Sequence, residues 1–415
     1  MFRIWIYLSI SNFLFGLFPR SKIEKSKALI KNSISKQSNK KFTALFSQCR
    51  VAFFFILKFL KKKSNKREII FCAYNLPEML NIAENLKLKI KFCDLNYKTG
   101  FIDINQLKKN ISNKTMAVVL TNMFNSYEDS EKIKKLAKKY KTTLIEDNAI
   151  YFDNYTKIKN KSCYSGSLGD YTIYSFNIMK NISSFYGGAA STNNKDFIEF
   201  YNYEENKLSN FFYLPLIKQI GIYFVLKFMS LNLLYKSIFI HIISFSHKKK
   251  IKPIQHLFYP SLKSIKRKFP KYYFSKISNL SAHTTYLQLK NKHQRKKIFN
   301  LRKKKHKYYF KKLSNIKNKN FNLINIDDEN YQNFLDFPLL VQNKNHLNEY
   351  LLDRGIEVRF KHYYNCEKIF RNGKKCINAE RYEKELICLP VHPKIPLSHI
   401  DFIVKNIEVY YSKLY

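Results

Sequence analysis

The sequence predicts an α/β protein whose first half forms a mainly parallel sheet. Short apolar runs alternate with helix-patterned segments, which is typical of parallel strands covered by helices on both faces. A second observation is that four of the nine glycines lie between Gly166 and Gly188, where the backbone must turn tightly or approach a ligand. A third is that Asp147 and Ser175 end two predicted strands, and ligands bind at such strand ends.

The periodicity of apolar residues gives the order of the elements. Helices are predicted at residues 51–60 and at residues 77–86, the second with Pro77 in its first turn. A third helix is predicted where apolar residues recur at i, i+3, i+4 and i+7 from Ile133 to Tyr140. The predicted strands are residues 69–73, 89–94, 116–120, 143–145, 171–176 and 188–192.

The C-terminal part has a different pattern. A long basic helix is predicted from residue 276 to residue 313. It is followed by a strand, a helix capped by Gly355, a strand and a last helix with Ser398 as its N-cap. These four elements are predicted at residues 333–341, 347–354, 356–360 and 398–414.

The composition limits the class of protein. A chain of 415 residues with 45% hydrophobic content can bury one large core or form two domains. Seven scattered cysteines without close pairs indicate reduced thiols and a cytoplasmic setting, and they argue against a metal site. The net charge of +45 suggests nucleic-acid binding, but the basic residues are spread along the whole length. We therefore expect no nucleic-acid partner.

Two apolar segments leave alternatives open. Residues 1–18 lack a cleavage site for a signal peptide, and they form either a helix packed on the body or an interfacial anchor. Residues 211–245 contain no uninterrupted span of the ~20 residues that a bilayer requires, so a membrane-surface hairpin and a buried insertion both fit. The lysine run 248–250 favours contact with an anionic inner membrane.

Three residues near the glycine cluster suggest cofactor chemistry. Lys180 lies in a polar loop beyond a strand, and a lysine amine can form a Schiff base where its neutral form is favoured. Asp147 could pair with a protonated pyridine nitrogen. Ser175 and nearby backbone N–H groups could hold a phosphate. Pyridoxal phosphate is one cofactor that this spacing would suit, and a solvated surface lysine is the alternative.

Residues 143–193 resemble the core of the DegT/StrS family of nucleotide-sugar aminotransferases. The family pattern is Glu-Asp-x-Ala, Gly-x-x-Gly-Asp, Ser-Phe-x-x-x-Lys and Gly-Gly, in this order. Weaker similarities extend over most of the chain, at SQCRVAFFFIL, CAYNLPEMLNIA, LQLKNKHQRKK, RGIEVR and LPVHPKI. The four core elements are Glu146-Asp147-Asn148-Ala149, Gly166-Ser167-Leu168-Gly169-Asp170, Ser175-Phe176 with Lys180, and Gly187-Gly188.

The resemblance implies a fold-type I pyridoxal-phosphate enzyme with a large α/β domain, a smaller α+β C-terminal domain and a homodimeric assembly. It would move an amino group from an amino acid, glutamate by expectation, to a nucleotide-linked keto-sugar for surface polysaccharide or lipopolysaccharide. The implied organisation is an N-terminal segment and linker at 1–40, the cofactor domain at 41–205, an apolar and basic insertion at 206–270, and the small domain at 271–415.

The resemblance also implies roles for single residues. Lys180 would bond covalently to the cofactor and move the proton at the substrate carbon. Asp147 would pair with the ring nitrogen, and Ser175 would bind phosphate together with Cys49 and Arg50. The position that usually stacks an aromatic on the ring is Leu76, with Tyr74 nearby. His362, with Tyr363 and Tyr364, follows the RGIEVR motif; it could reach the substrate, but the preferred interpretation is a surface histidine.

Several positions depart from the family pattern and support an alternative function. Lys180 argues against the dehydratase branch, which carries histidine there. The changed positions affect the ring face and the substrate side, so a non-catalytic, membrane-associated scaffold is the second hypothesis. The departures are Leu76, Ile150, Asn122-Met123-Phe124-Asn125, Phe274 and Lys276.

Overall fold

The structure is a computed structural model. It describes residues 2–123, 127–150, 152, 155–158, 161–258, 269–316, 319–324, 335–371 and 374–413. The strands are β1 Phe42–Phe46, β2 Glu68–Cys72, β3 Tyr74–Asn75, β4 Lys89–Cys93, β5 Thr115–Thr121, β6 Thr143–Asp147, β7 Tyr155–Ile158, β8 Lys161–Tyr164, β9 Tyr171–Ser175, β10 Gly188–Thr192, β11 Phe321–Leu323, β12 Asp336–Val341, β13 Tyr364–Asn365 and β14 Leu386–Pro390.

Seventeen α-helices are described, together with a π-helical turn at Tyr235–Phe239 and a 3₁₀ turn at Lys271–Tyr273. The α-helices are α1 Ile10–Leu17, α2 Ile23–Ser38, α3 Cys49–Lys63, α4 Pro77–Asn85, α5 Ile104–Asn110, α6 Tyr127–Lys139, α7 Lys195–Glu205, α8 Tyr213–Met229, α9 Asn232–Leu234, α10 Ile240–Lys248, α11 Lys252–Phe258, α12 Asn279–Lys290, α13 Lys292–Ser314, α14 Lys344–Asp353, α15 Cys366–Phe370, α16 Ile377–Glu385 and α17 Leu397–Ser412.

The central layer is a seven-stranded sheet in the order β1-β10-β9-β6-β5-β2-β4. β9, β6, β5, β2 and β4 are mutually parallel, and β10 is antiparallel to both of its neighbours. Ile69, Ile70 and Phe71 of β2 are fully buried, as expected of a strand covered on both faces. The mainly parallel sheet and the predicted α/β class are confirmed.

One edge of this sheet collects several strand ends. β1 and β9 are each antiparallel to β10, so they run in the same direction. Phe46 at the end of β1 pairs with Gly188, and Gly188 pairs with Ser175 at the end of β9. Asp147 at the end of β6 pairs with Ile173 of β9. The sheet register therefore brings the end of β1, the ends of β6 and β9, and the start of α3 to the same edge.

The C-terminal region contains a second, antiparallel sheet of β11, β12 and β14, and α13, α14 and α17 pack near it. A separate two-stranded ladder of β13 with β3 joins this region to the chain just after β2. The predicted small-domain strand at 333–341 corresponds to β12, although residues 333 and 334 lie outside the described residues.

Three C-terminal predictions are wrong in detail. The helix predicted at 276–313 breaks at Asn291, whose Oδ1 accepts a hydrogen bond from Gln294 N at 3.0 Å and caps α13. The strand predicted at 356–360 is reduced, within the described residues, to an isolated bridge of Arg359 with Cys388. The last helix begins at Leu397 after Pro396, so Ser398 is not its N-cap.

The N-terminal segment joins distant parts of the chain. Residues 2–9 are extended and mostly buried, and Arg3 forms a buried ion pair with Glu357 at 3.4 Å. Trp5 stacks on His392, whose Nε2 lies 3.0 Å from the Phe2 carbonyl oxygen. The segment then continues into α1, which packs on α12.

The apolar insertion forms α8, α9, the π-helical turn and α10. Its buried side chains, among them Tyr223, Leu226 and Met229, form a cluster with the N-terminal residues Phe2 and Phe13. Across the described residues, no helix has both the length and the apolar character to span a bilayer by itself. The two arms Tyr213–Met229 and Asn232–Lys248 reach that threshold only together, and they are bent by 81°.

Candidate active site

Asp147 is the last residue of β6, and its side chain is buried. The Ala149 amide donates a hydrogen bond to Asp147 Oδ1 at 3.1 Å, and the Asp147 carbonyl accepts one from Asn122 N at 3.0 Å. Burial raises the pKa of the Asp147 carboxyl group, while the Ala149 amide and the charge of Lys180 oppose this effect. A cation placed against this carboxylate would therefore be strongly favoured.

Lys180 follows β9 in a turn closed by a hydrogen bond from its amide to Asn177 O at 2.9 Å. The Ser183 hydroxyl donates to the Lys180 carbonyl at 2.9 Å and fixes the next turn. Burial lowers the pKa of the Lys180 ammonium group, and the nearby Asp147 and Cys49 raise it. The site therefore favours the neutral amine more than solvent does, which is the form that attacks a carbonyl.

The start of α3 crosses directly over β10. Gly187 N donates to Ser47 O at 2.7 Å, and a Cβ added at Gly188 would overlap Cys49 N and lie 2.5 Å from the Gln48 carbonyl carbon. Only glycine permits this approach. The first turn of α3 therefore lies at the strand end where Gly188 pairs with Ser175, and the first N–H groups of a helix are available to a ligand.

This helix start has the features of a phosphate site. Gln48, the N-cap residue, makes no side-chain cap, and its buried Nε2 has no hydrogen-bond partner in the part of the chain that the structure describes. The Arg50 guanidinium group donates to Tyr273 Oη at 3.0 Å and lies 5.3 Å from the ring centroid. An anion here would satisfy the orphan donors and meet the positive end of the helix. The residues present thus fit the phosphate of pyridoxal phosphate.

Cys49 lies between the two halves of the site. Burial raises the pKa of its thiol well above the ordinary value, and Asp147 raises it further, while Lys180 and Arg50 lower it. The thiol is therefore protonated at neutral pH, and it carries no charge that would repel a phosphate. The three electrostatic influences also show that Cys49 lies close to both predicted catalytic groups.

The described contacts of Tyr74 point toward the C-terminal region. Its hydroxyl accepts a hydrogen bond from Tyr363 N at 3.1 Å, and its ring packs edge-on against Tyr382 at 5.7 Å. Leu76 is half-buried and is the N-cap residue of α4. Roles of Tyr74 and Leu76 in cofactor binding stay predictions.

Sequence reasoning missed the contribution of the segment before β13. His362 is buried, so its interpretation as a surface histidine is wrong; burial lowers its pKa well below the ordinary value, with help from Arg359 and Lys180. Burial also raises the pKa of Tyr363, and Asp147 adds to the effect. His362 therefore lies near Lys180, and Tyr363 lies near Asp147. The His-Tyr-Tyr sequence after the RGIEVR motif was the available signal.

Glu146 explains part of the glycine motif. Its Oε2 accepts hydrogen bonds from the amides of Leu168, at 2.9 Å, and Gly169. Asp170 Oδ2 accepts a third from Leu144 N at 2.8 Å. The loop before β9 is thus tied to β6, which fixes the position of Lys180 relative to Asp147.

Two departures from the family pattern have local partners. Asn122 Nδ2 donates to Asn148 Oδ1 at 2.5 Å and lies 3.3 Å from Ser165 Oγ. Ile150 is a buried apolar residue. Neither change leaves a charge unpaired beside Asp147.

Comparisons with known proteins identify the family. The profile of the DegT/DnrJ/EryC1/StrS aminotransferase family matches residues 29–206 and 261–408. GDP-perosamine synthase of Escherichia coli O157:H7 is 33% identical over 104 residues, which are 25% of this chain and 28% of that protein. This chain matches only 40%, 34% and 28% of the lengths of three curated relatives, so the similarity in sequence spans less than half of each relative.

Solved structures show the same fold. Helicobacter pylori PseC, an aminotransferase of pseudoaminic acid biosynthesis, has a TM-score of 0.69 at 17% identity, with 99% of each chain covered. E. coli GDP-4-keto-6-deoxy-D-mannose-3-dehydratase with bound hydrated PLP also has a TM-score of 0.69, at 16% identity and with 97% of each chain covered. The fold-type I class predicted from the motifs is confirmed.

Since the family profile covers most of the chain and the predicted motifs meet at one sheet edge, this chain belongs to the DegT/DnrJ/EryC1/StrS aminotransferase family of pyridoxal-phosphate-dependent enzymes.

Proposed function

We propose that this protein is an aminotransferase that moves an amino group from an amino acid, glutamate in the first instance, to a nucleotide-linked keto-sugar. The observation that carries the proposal is the convergence of Asp147, Lys180 and the start of α3 at one edge of the sheet. Relatives named GDP-perosamine synthase and UDP-4-amino-4,6-dideoxy-N-acetyl-beta-L-altrosamine transaminase support the substrate class. A role in surface polysaccharide synthesis follows as part of the proposal.

Each residue has a defined task. The Asp147 carboxylate holds the proton of the ring nitrogen, and the start of α3 with Ser175 and Arg50 holds the phosphate. When bound, pyridoxal phosphate supplies an electron sink for the bond changes at the amino-bearing carbon. The Lys180 amine, whose neutral form is favoured by burial, takes and returns the proton at that carbon. The segment carrying His362 and Tyr363 closes the site from the C-terminal side.

A second candidate is a non-catalytic relative that keeps the fold as a scaffold. The observation that favours it is the absence of an aromatic side chain at Leu76, where the family stacks one on the ring. This candidate predicts cofactor binding without turnover, or no binding at all.

The test is an absorbance spectrum of the purified protein with pyridoxal phosphate, before and after glutamate is added. We expect a visible band that decreases with glutamate. Lys180→Ala should lose the band, while the exposed Lys195→Ala, a matched control on α7, should keep it. A band that no amino donor changes would favour the scaffold, and no band in the wild type would refute cofactor binding.

The nucleotide-sugar step is tested next. Enzyme converted to its amine form by glutamate is separated and mixed with nucleotide-linked 4-keto sugars. Return of the original spectrum together with an amino-sugar product would support the proposal. A deoxygenated product would instead indicate the dehydratase reaction. The proposed homodimer predicts twice the chain mass in sedimentation equilibrium.

A further inference from the structure

One surface of the molecule carries large apolar side chains that no part of the described structure covers. We call it the apolar face: the outward side of α1, α8, α9 and α10. Leu214 is 81% exposed, Leu233 79% and Phe18 77%. Ile217, Phe228 and Phe245 are more than half exposed as well. A soluble monomer rarely keeps a continuous apolar patch of this kind without a use.

α8 shows that this exposure is systematic. Tyr223, Leu226 and Met229 line its inner side and are fully buried. Its outer side, at the spacing of helical turns, carries Leu214, Ile217 and Phe228 where a surface helix normally carries polar residues. A helix that is apolar on both sides requires a second apolar environment.

The face is continuous across two distant chain segments. Phe13 of α1 packs edge-on against Phe224 of α8 at 5.4 Å, so the two helices lie side by side. Both segments lie outside the family match, which covers residues 29–206 and 261–408. The apolar face therefore lies outside the part of the chain that the family profile matches.

The two segments that form the face carry charge of one sign. The sequence has no Asp or Glu between residues 1 and 23, nor between residues 206 and 326. Lys218, Lys236, Lys249 and Lys250 are exposed on the insertion. A twofold contact between two copies through this face would bring these lysines against their own counterparts. An anionic partner is favoured instead.

We propose that the apolar face docks on an anionic lipid bilayer, with α8 and α10 lying in the plane of the interface. The two arms are bent by 81°, and neither could cross a bilayer alone. Apolar side chains would enter the boundary between headgroups and acyl chains, and the lysines would remain at the headgroup phosphates. The active site would then work at the membrane surface.

A cavity beside the face suits a lipid headgroup. Its volume is about 490 Å³, and it lies between the insertion and the C-terminal region. Its lining includes three basic side chains, Lys236, His241 and Arg354, and the exposed ring of Phe402. Asp353 also lines the cavity and is paired with Lys248 at 2.8 Å. The phosphate of a lipid headgroup placed here would contact two permanent cations, Lys236 and Arg354, while the acyl chains of the lipid follow the apolar face.

The experiment is flotation of the full-length protein with vesicles of phosphatidylcholine alone and of phosphatidylcholine mixed with phosphatidylglycerol. We expect binding to the anionic vesicles, weakened by high salt. The variant Leu214→Gln/Ile217→Gln/Phe228→Gln should lose at least ~100-fold in partitioning, because each large side chain contributes about tenfold. Ile377→Gln, equally exposed on α16, is the matched control and should bind as wild type.

Three outcomes would overturn the proposal. The first is that the wild type does not bind anionic vesicles, and the second is that the triple variant binds them as well as the wild type does. The third is that the wild type is a dimer that binds no vesicles and the triple variant is a monomer. The last would identify the face as a contact between copies. The pyridoxal phosphate spectrum should be the same in the wild type and the triple variant, which reports correct folding and keeps this test independent of the proposed enzymatic function.

Discussion

The substitution Gly188→Ala tests whether the close approach of α3 and β10 builds the phosphate site. The added Cβ would overlap Cys49 N and lie 2.5 Å from the Gln48 carbonyl carbon and 2.6 Å from Cys49 Cα. All three are backbone atoms, so no side-chain rotation can relieve the contact. The start of α3 and β10 must move apart.

The size of the effect follows from these distances. Ordinary contact begins at 3.4 Å, so the backbone must shift by about 0.9 Å at the 2.5 Å contact. Overpacking of this kind costs ~1–3 kcal/mol of folding free energy. Because the same shift displaces the N–H groups that face the phosphate, it should also weaken one charge-assisted hydrogen bond, worth ~1.5–3 kcal/mol. We therefore expect about 10- to 100-fold weaker cofactor binding.

The assay combines urea unfolding with a spectroscopic titration of pyridoxal phosphate. Gly221→Ala on α8 is the control, because a Cβ there meets nothing within 4 Å and alanine favours a helix by ~0.5–1 kcal/mol. It should leave cofactor affinity unchanged and keep or increase stability. If Gly188→Ala retains both the wild-type affinity and the wild-type free energy of unfolding, the assignment of this crossing as the phosphate site is refuted.

Four further predictions concern charged groups. Asp147→Asn keeps the shape of the side chain but removes its charge, so the cofactor should still bind. The spectral change that glutamate causes should slow at least ~100-fold in stopped flow. An unchanged rate would exclude a role of Asp147 at the ring nitrogen. Burial lowers the pKa of Lys180. The rate at which the cofactor-free protein reacts with pyridoxal phosphate should therefore rise with pH around a midpoint below the pKa of an ordinary lysine. Asp147→Asn should lower that midpoint further, because the Asp147 charge raises the pKa of Lys180. The unfolded chain binds the proton of the Lys180 ammonium group more tightly than the folded protein does. The contribution of Lys180 to the free energy of unfolding should therefore rise with pH between its lowered pKa in the folded protein and its ordinary pKa in the unfolded chain. Urea unfolding should show that Lys180→Met removes this rise. Arg3→Ala should cost ~3–5 kcal/mol in the same measurement, because it removes the cation of a buried ion pair with Glu357, whereas replacing both residues by leucine should restore most of the loss; a loss below 1 kcal/mol would contradict the buried ion pair.

The sheet was predictable from sequence because its strands are buried on both faces. β2, β5 and β6 therefore appear as continuous apolar runs, and each run ends where the backbone leaves the core. Asp147 was found for the same reason, since a carboxylate at the end of a buried strand is a local signal. Lys180 was distinguished from the other lysines only by the glycines around it.

The remaining features depend on contacts between distant residues. His362 and Tyr363 reach the site because β13 pairs with β3, almost 300 residues away, and no periodicity records that pairing. The break at Asn291 depends on one side chain capping α13, in a stretch whose basic composition favours helix throughout. The extended N-terminal segment lies in place through Arg3 and Glu357, which the apolar pattern of the segment does not indicate.

The departures from the family pattern can be separated from the elements that anchor the cofactor. The proposed anchors are backbone features and buried charges: the start of α3 over Gly188, the carboxylate of Asp147 and the amine of Lys180. The altered residues, such as Leu76 and Ile150, concern the ring face and the substrate side, and they are apolar and accommodated by local packing. Cofactor binding can therefore persist whether or not turnover does. For this reason only the second stage of the spectroscopic experiment, the response to an amino donor, discriminates an enzyme from a scaffold.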